Sequence, residues 1–240
     1  MLIDKNKQYH VQLSKGDVGR YVFVPGDPGR VELIASLFDE AWLVADNREY
    51  KTYTGYVDGI KVSVCSTGIG APSASIAIEE LSRVGADTFI RIGTAGPIQK
   101  YINRGDVVIG TAAIRDEGTS KQYMPIEFPA VADLAVSNAL CEAAEKMEKP
   151  YHAGVIQSKD SFYGEVEPET MPLARQLKER WNCWIEGGAL ASEMEAAAIY
   201  VVSSIRKLRA GCILNIDGSM EETIKVGIQA IKILHQKDTK

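Results

Sequence analysis

The sequence is short of histidine, cysteine and basic charge, and each shortage removes a class of function. Three histidines and four cysteines (Cys65, Cys141, Cys183, Cys212) are spread over 240 residues, with no CxxC pair and no histidine at ligand spacing. A metal or iron–sulfur centre therefore finds no ligand set, and the cysteines read as reduced packing residues of a cytoplasmic protein. Lys and Arg total 27 against 32 Asp and Glu, a net charge of −5 with no basic stripe. Nucleic acid is thus not the expected partner, although a few arginines can still build a local anion site. No apolar run reaches membrane-spanning length, and residues 1–5 do not open a signal peptide. Repeats, low-complexity tracts and linker-like segments are also missing, so one continuous domain over 1–240 is expected. Neither GxxxxGK[ST] nor GxGxxG occurs, which removes the Walker and dinucleotide-binding motifs.

What the chain does have is a set of strands that end in glycine. Asp87-Thr88-Phe89-Ile90-Arg91-Ile92-Gly93-Thr94-Ala95-Gly96 reads as a strand buried on both faces, interrupted by Arg91. A guanidinium cannot shed its proton to escape burial, so Arg91 either needs an anion at the strand end or points to solvent from an edge strand. Gly93 and Gly96 let backbone approach a ligand there, beside the Thr94 hydroxyl. Pro25-Gly26-Asp27-Pro28-Gly29-Arg30 follows a strand at 21–24 and opens a helix over 31–37, with Asp27 as N-cap and Pro28 at the first position. Such an entry offers free N–H groups to an anion, with Arg30 in the first turn, or is a plain capped turn.

Further strands are expected at 42–45, 53–57 and 60–66, the charged 46–50 stretch being a turn. Thr67-Gly68-Ile69-Gly70 then leads to a helix from Pro72 that stops at Gly85. Strands follow at 107–109, 111–115, 151–157 and 212–216. Helices are expected at 130–147, 173–181 and 221–235, with 116–129 irregular. Ala191-Ser192-Glu193-Met194-Glu195 opens another helix. There, two glutamates at i, i+2 point to different sides, so at most one faces a given ligand. Gly-rich turns at the carboxyl ends of strands in a doubly wound α/β sheet often converge on one pocket.

Pro25-Gly26-Asp27-Pro28, Arg30, Asn47-Arg48-Glu49, Thr67-Gly68-Ile69-Gly70, Arg91-Ile92-Gly93-Thr94 and Glu193-Met194-Glu195 stand in the order and spacing of the hexameric nucleoside phosphorylases. The likeness extends to Phe128-Pro129-Ala130-Val131-Ala132-Asp133 and Lys159-Asp160-Ser161-Phe162-Tyr163-Gly164. Within the family the chain most resembles the uridine phosphorylases. The resemblance implies one α/β domain whose mixed sheet curls toward a barrel, flanked by helices, and phosphate-dependent cleavage of a ribonucleoside. It implies phosphate binding by Gly26 (backbone N–H), Arg30, Arg91 and Thr94, with Arg48 reaching in from a neighbouring subunit of a dimer-based hexamer. His10 would touch the ribose across that interface. Thr94, Glu193, Met194 and Glu195 would hold the ribose, and Phe162 the base. Glu49, Ile69 and Ser73 match positions that hold a potassium ion between subunits in some relatives. No redox or catalytic-metal cofactor is implied.

The segment after Phe162-Tyr163 departs from the uridine phosphorylases. Gly164-Glu165-Val166-Glu167-Pro168-Glu169-Thr170 lacks their Gln and Arg, and its acidic residues would repel an anionic uracil. Ile213-Leu214-Asn215-Ile216-Asp217-Gly218-Ser219 instead resembles purine-cleaving members in which an aspartate protonates N7, with a shortened segment after it. In that role Asp217 needs a pocket screened from water, where its pKa rises; otherwise it is a turn residue before Gly218. Uracil and purine both stay open as the base. A hydrolytic nucleosidase would not need Arg30, Arg48 and Arg91, and a non-catalytic nucleoside-binding relative is the remaining alternative.

Overall fold

Strands with apolar residues on both faces need cover on both sides, and in the computed structural model, which describes residues 7–239, helices supply it. The reading of residues 1–5 lies outside the described residues. The chain runs β1 (Tyr21–Phe23), α1 (Gly29–Ala35), β2 (Glu40–Asn47), β3 (Tyr50–Val57), β4 (Ile60–Cys65), α2 (Ala71–Arg83), β5 (Thr88–Thr94) and β6 (Gly96–Pro97). It continues through β7 (Val107–Asp116), α3 (Thr119–Tyr123), β8 (Ala130–Val131), α4 (Leu134–Lys146), β9 (Tyr151–Lys159), α5 (Phe162–Val166) and α6 (Ala174–Glu186). The last elements are β10 (Ala191–Glu193), α7 (Ala196–Ile205), β11 (Arg209–Asn215) and α8 (Met220–Asp238).

The strands form one mixed sheet in the order β2-β3-β4-β1-β5-β11-β7-β9-β10-β6, with β8 on β7. It is an open path: β2 and β6 end the order and do not close on each other. β5 lies between β1 and β11, parallel to both, which rules out the edge-strand reading of Arg91. Side chains alternate along it. Phe89 joins an apolar cluster with Leu81, Tyr200 and Val202, while Ile90 and Ile92 join another with Phe23, Ile231 and Leu234. Arg91 shares the Phe89 face.

Four local expectations change. Residues 116–129 hold the short helix α3, and Ala130-Val131 add a strand to β7, so α4 starts at Leu134 with the Asp133 carboxylate accepting from Val136 N–H at 3.0 Å. Residues 191–193 are a strand, not the start of a helix. The Glu193 carboxylate accepts the N–H groups of Glu195 (2.8 Å) and Ala196 (2.9 Å), so the helix begins only after it. The charged turn of 46–50 narrows to Arg48 and Glu49, with Arg48 left-handed at φ 56°. The α6 helix runs on to Glu186, beyond the expected 173–181. No helix among the described residues is long and apolar enough to cross a membrane.

Candidate active site

Arg91 sits at the centre, 4% exposed. Its Nε donates to Glu193 Oε2 at 2.7 Å, and its Nη2 pairs with Glu195 Oε2. Both glutamates therefore face one group despite their i, i+2 spacing, because Glu193 ends a strand and Glu195 caps a helix. The Glu193 oxygens also accept Ser158 Oγ–H and two backbone N–H groups, so this carboxylate anchors the site and is fully used. Glu195 accepts the Gly70 N–H at 2.6 Å, tying the glycine loop after β4 to the arginine. Burial raises the Glu195 pKa, and Arg91 pulls it back.

Two carboxylates do not exhaust Arg91. Its buried Nη1 has no hydrogen-bond partner. A Cβ on Gly26 would lie 4.0 Å from that nitrogen and 3.2 Å from the Gly68 carbonyl, so the Gly26 backbone stands against the vacant donor. Beside it, Arg30 Nη2 donates to Thr94 Oγ1 at 3.3 Å, and burial lowers the Arg30 pKa against the pull of Asp27. The Asp27 carboxylate accepts the Gly29 N–H at 2.8 Å and so turns the chain into α1. Gly26 and Arg30, from the turn into α1, and Arg91 and Thr94, from β5, thus converge with two guanidinium groups on one spot. Such a spot selects a small anion of more than one charge.

His10 and Arg48 are elsewhere. His10 Nδ1 is 2.7 Å from Glu80 Oε1, and the Asn47 side-chain amide donates to the His10 carbonyl at 2.7 Å. The Arg48 guanidinium lies 6.0 Å from the centroid of the Tyr9 ring. Neither makes a hydrogen bond or ion pair to the Arg91 cluster among the described residues. Glu49 and Ser73 meet across Gly68, where a Cβ would lie 2.9 Å from Glu49 Cγ and 3.2 Å from Ser73 Oγ. The Ser73 hydroxyl donates to the Ile69 carbonyl at 3.3 Å or to that of Gly70 at 3.2 Å.

The structure corrects two readings. The Asp217 side chain is 79% exposed, left-handed at φ 47°, and paired with Arg104 at 3.2 Å, so it lacks the water-screened pocket an N7 acid needs. The acidic loop is not a bare negative surface either. Glu165 pairs with Lys159 at 2.7 Å, both side chains largely buried, and Glu169 lies 3.6 Å from Lys178. Lys159 Nζ also donates to Ser192 Oγ at 2.5 Å, and the Ser192 hydroxyl donates to Gln157 Oε1 at 2.6 Å or Glu165 Oε2 at 2.9 Å. Gln157, Lys159 and Glu165 of this network line a cavity of about 390 Å³ with Pro168, Trp181 and Trp184. Phe162 is half exposed, its ring centroid 5.9 Å from Lys159 Nζ. Sequence reasoning missed Lys159, Ser192 and Gln157. The one available signal was the polar Gln157 and Lys159, two apart on one face at the end of β9.

A family model described as "Phosphorylase superfamily" matches residues 20–232. The chain is 47% identical to a uridine phosphorylase of Treponema pallidum (strain Nichols), over 97% of this chain and 96% of that one. It is 46% identical to a uridine phosphorylase of Thermococcus kodakarensis, over 98% and 89% respectively. It is 45% identical to a guanosine phosphorylase of Halorubrum lacusprofundi, over 89% and 84%.

Proposed function

The chain belongs to the phosphorylase superfamily, and from that premise we propose that it is a nucleoside phosphorylase, a pentosyltransferase of the uridine phosphorylase type. The observation that carries this reading is the buried, unpartnered Arg91 Nη1 beside the Gly26 backbone and the Arg30–Thr94 pair. A phosphate dianion completes that donor set. Held below C1′ of the ribose, it attacks as the glycosidic bond breaks. The bond's electron pair leaves with the base, and a phosphate oxygen takes its place on the sugar. Positive charge builds on the ribose ring in between, and the bound phosphate and Glu195 offset it. Glu195 is held in place by the Gly70 N–H and Arg91, which orients it to accept hydrogen bonds from ribose hydroxyls. Met194 and Phe162 flank the sugar and base.

His10 and Arg48 then complete the site of a neighbouring subunit in a dimer-based hexamer, which their separation from the Arg91 cluster supports. Glu49, Ile69 and Ser73 offer a carboxylate, a carbonyl and a hydroxyl, an oxygen-only set that fits a potassium ion. The likeness to a guanosine phosphorylase supports a second reading in which the base is a 6-oxopurine. The free cysteines fit a cytoplasmic role in nucleoside salvage. The test is base release from uridine, inosine, guanosine, cytidine and adenosine with and without phosphate. Release that needs phosphate supports the reading, and equal release without it makes the protein a nucleosidase.

A further inference from the structure

The last residue of β9 is a buried lysine, Lys159, beside the acidic segment that follows Phe162-Tyr163. We propose that Lys159, held by Glu165 and Ser192, is a catalytic residue that donates a hydrogen bond to a ring carbonyl oxygen of the departing base and offsets its negative charge. The proposal rests on the nucleoside phosphorylase reading above.

Register places Lys159 on strands that adjoin the phosphate cluster. Ser192 pairs with Gly96 across β10 and β6, and with Gln157 across β10 and β9. Gly96 lies two residues beyond Thr94 of the phosphate cluster. Neighbouring strands are about 4.8 Å apart, so this face begins one or two strand spacings from the phosphate spot. Alternation puts Gln157 and Lys159 on that face with Ser192, while Ser158 and Glu193 point the other way toward Arg91. The Lys159 side chain is 9% exposed. An ammonium has three donors, and Glu165 Oε1 and Ser192 Oγ take two of them. The third has no partner among the described residues, and the Phe162 ring, 5.9 Å away, marks where a flat base can lie.

The chemistry of the pair selects the base. A donor next to a carboxylate matches a ring edge that presents a carbonyl oxygen next to an N–H. Uracil has that edge at O4 and N3–H, and a 6-oxopurine has it at O6 and N1–H. Adenine and cytosine present the reverse order, with an amino group facing the ammonium and a bare nitrogen facing the carboxylate. As the bond to C1′ breaks, its electron pair spreads from the ring nitrogen to the carbonyl oxygen, where Lys159 strengthens its hydrogen bond without giving up its proton. The base anion takes a proton from water after release.

The test is Lys159→Met, which keeps length and removes charge, assayed on uridine against 5-fluorouridine and on guanosine against 7-methylguanosine. The fluorinated base is a more stable anion, and the methylated purine leaves without negative charge. On uridine or guanosine, whichever the wild type cleaves, kcat should fall roughly 10²–10³-fold, as when one oxyanion donor is removed. On 7-methylguanosine, whose base leaves neutral, the loss should shrink to less than about tenfold, and on 5-fluorouridine, whose base leaves as a more stable anion, it should be smaller than on uridine. An equal loss on both substrates of a pair makes Lys159 structural and overturns the proposal, as does no loss. Should K159M fail to fold, Lys159→Gln, which keeps a donor but removes the charge, is measured the same way and must show the same sparing of activated substrates. A wild type whose base release ignores phosphate fails the parent reading, and that is seen before any variant is made.

Discussion

Removing Arg91 should injure the protein twice, and the two injuries can be read apart. In Arg91→Ala the phosphate loses a charge-assisted donor in a buried site. That costs about 2–5 kcal/mol, a roughly 30- to 5,000-fold loss in kcat/KM for phosphate-dependent cleavage. The same change strands Glu193 and Glu195, whose side chains are 0% and 5% exposed, without their shared cation. Breaking a buried pair costs about 3–5 kcal/mol of stability, or about 6–20 °C in Tm for a chain of this size. The stability loss should depend on pH. Burial already raises the Glu195 pKa in the folded state, and Arg91 is the strongest of the influences that lower it. Without Arg91 the folded pKa rises further, so the penalty is present above it and shrinks as pH falls through it. Initial rates against phosphate concentration, taken below Tm, isolate the first effect, and thermal unfolding across pH isolates the second. Phosphate itself should raise the wild-type Tm and fail to raise that of the variant. A variant that binds phosphate like the wild type would refute the role given to Arg91.

Other outcomes follow from the same geometry. Arg48→Ala and Glu195→Ala should each be inactive alone and regain activity when refolded together, since a mixed dimer has one site with neither lesion; inactivity of a mixed oligomer that forms normally would end the shared-site idea. Asp217→Asn should change inosine, guanosine and uridine turnover by less than about threefold, because its carboxylate is solvated and paired with Arg104; a drop of about a hundredfold on purines alone would restore it as an N7 acid. Exchanging potassium for choline should lower Tm in the wild type but not in Glu49→Gln, and an equal response in both would remove the cation from Glu49, Ile69 and Ser73.

Much of the framework was legible because it is local. The alternation at Phe89, Ile90 and Ile92 dictated a strand covered on both faces, and Asp27 marked the turn into α1, although Pro28 and not Asp27 is the N-cap and the helix runs over Gly29–Ala35. Arg91 declared its need for anions, but not that two of them are carboxylates more than 100 residues away on the same chain. Glu193 and Glu195 were misread for a related reason. The i, i+2 argument holds inside a helix, and the chain passes from strand to helix between them. Lys159 was hidden because an ammonium at a strand end is ordinarily solvated. Only the register of β9, β10 and β6 turns it inward onto Glu165 and Ser192. Asp217 shows the opposite failure: a motif-like aspartate after β11 that a left-handed turn and Arg104 direct to solvent.

The central claim is that phosphate, and not water, receives the ribosyl group at the spot formed by Gly26, Arg30, Arg91 and Thr94. Product analysis in ¹⁸O-labelled water with unlabelled phosphate tests it directly, by following the sugar by ³¹P NMR and mass spectrometry as the base is released. The account predicts one ribose 1-phosphate for each base, with no ¹⁸O on the sugar. Free ribose carrying ¹⁸O at C1, formed at the same rate without phosphate, would contradict it.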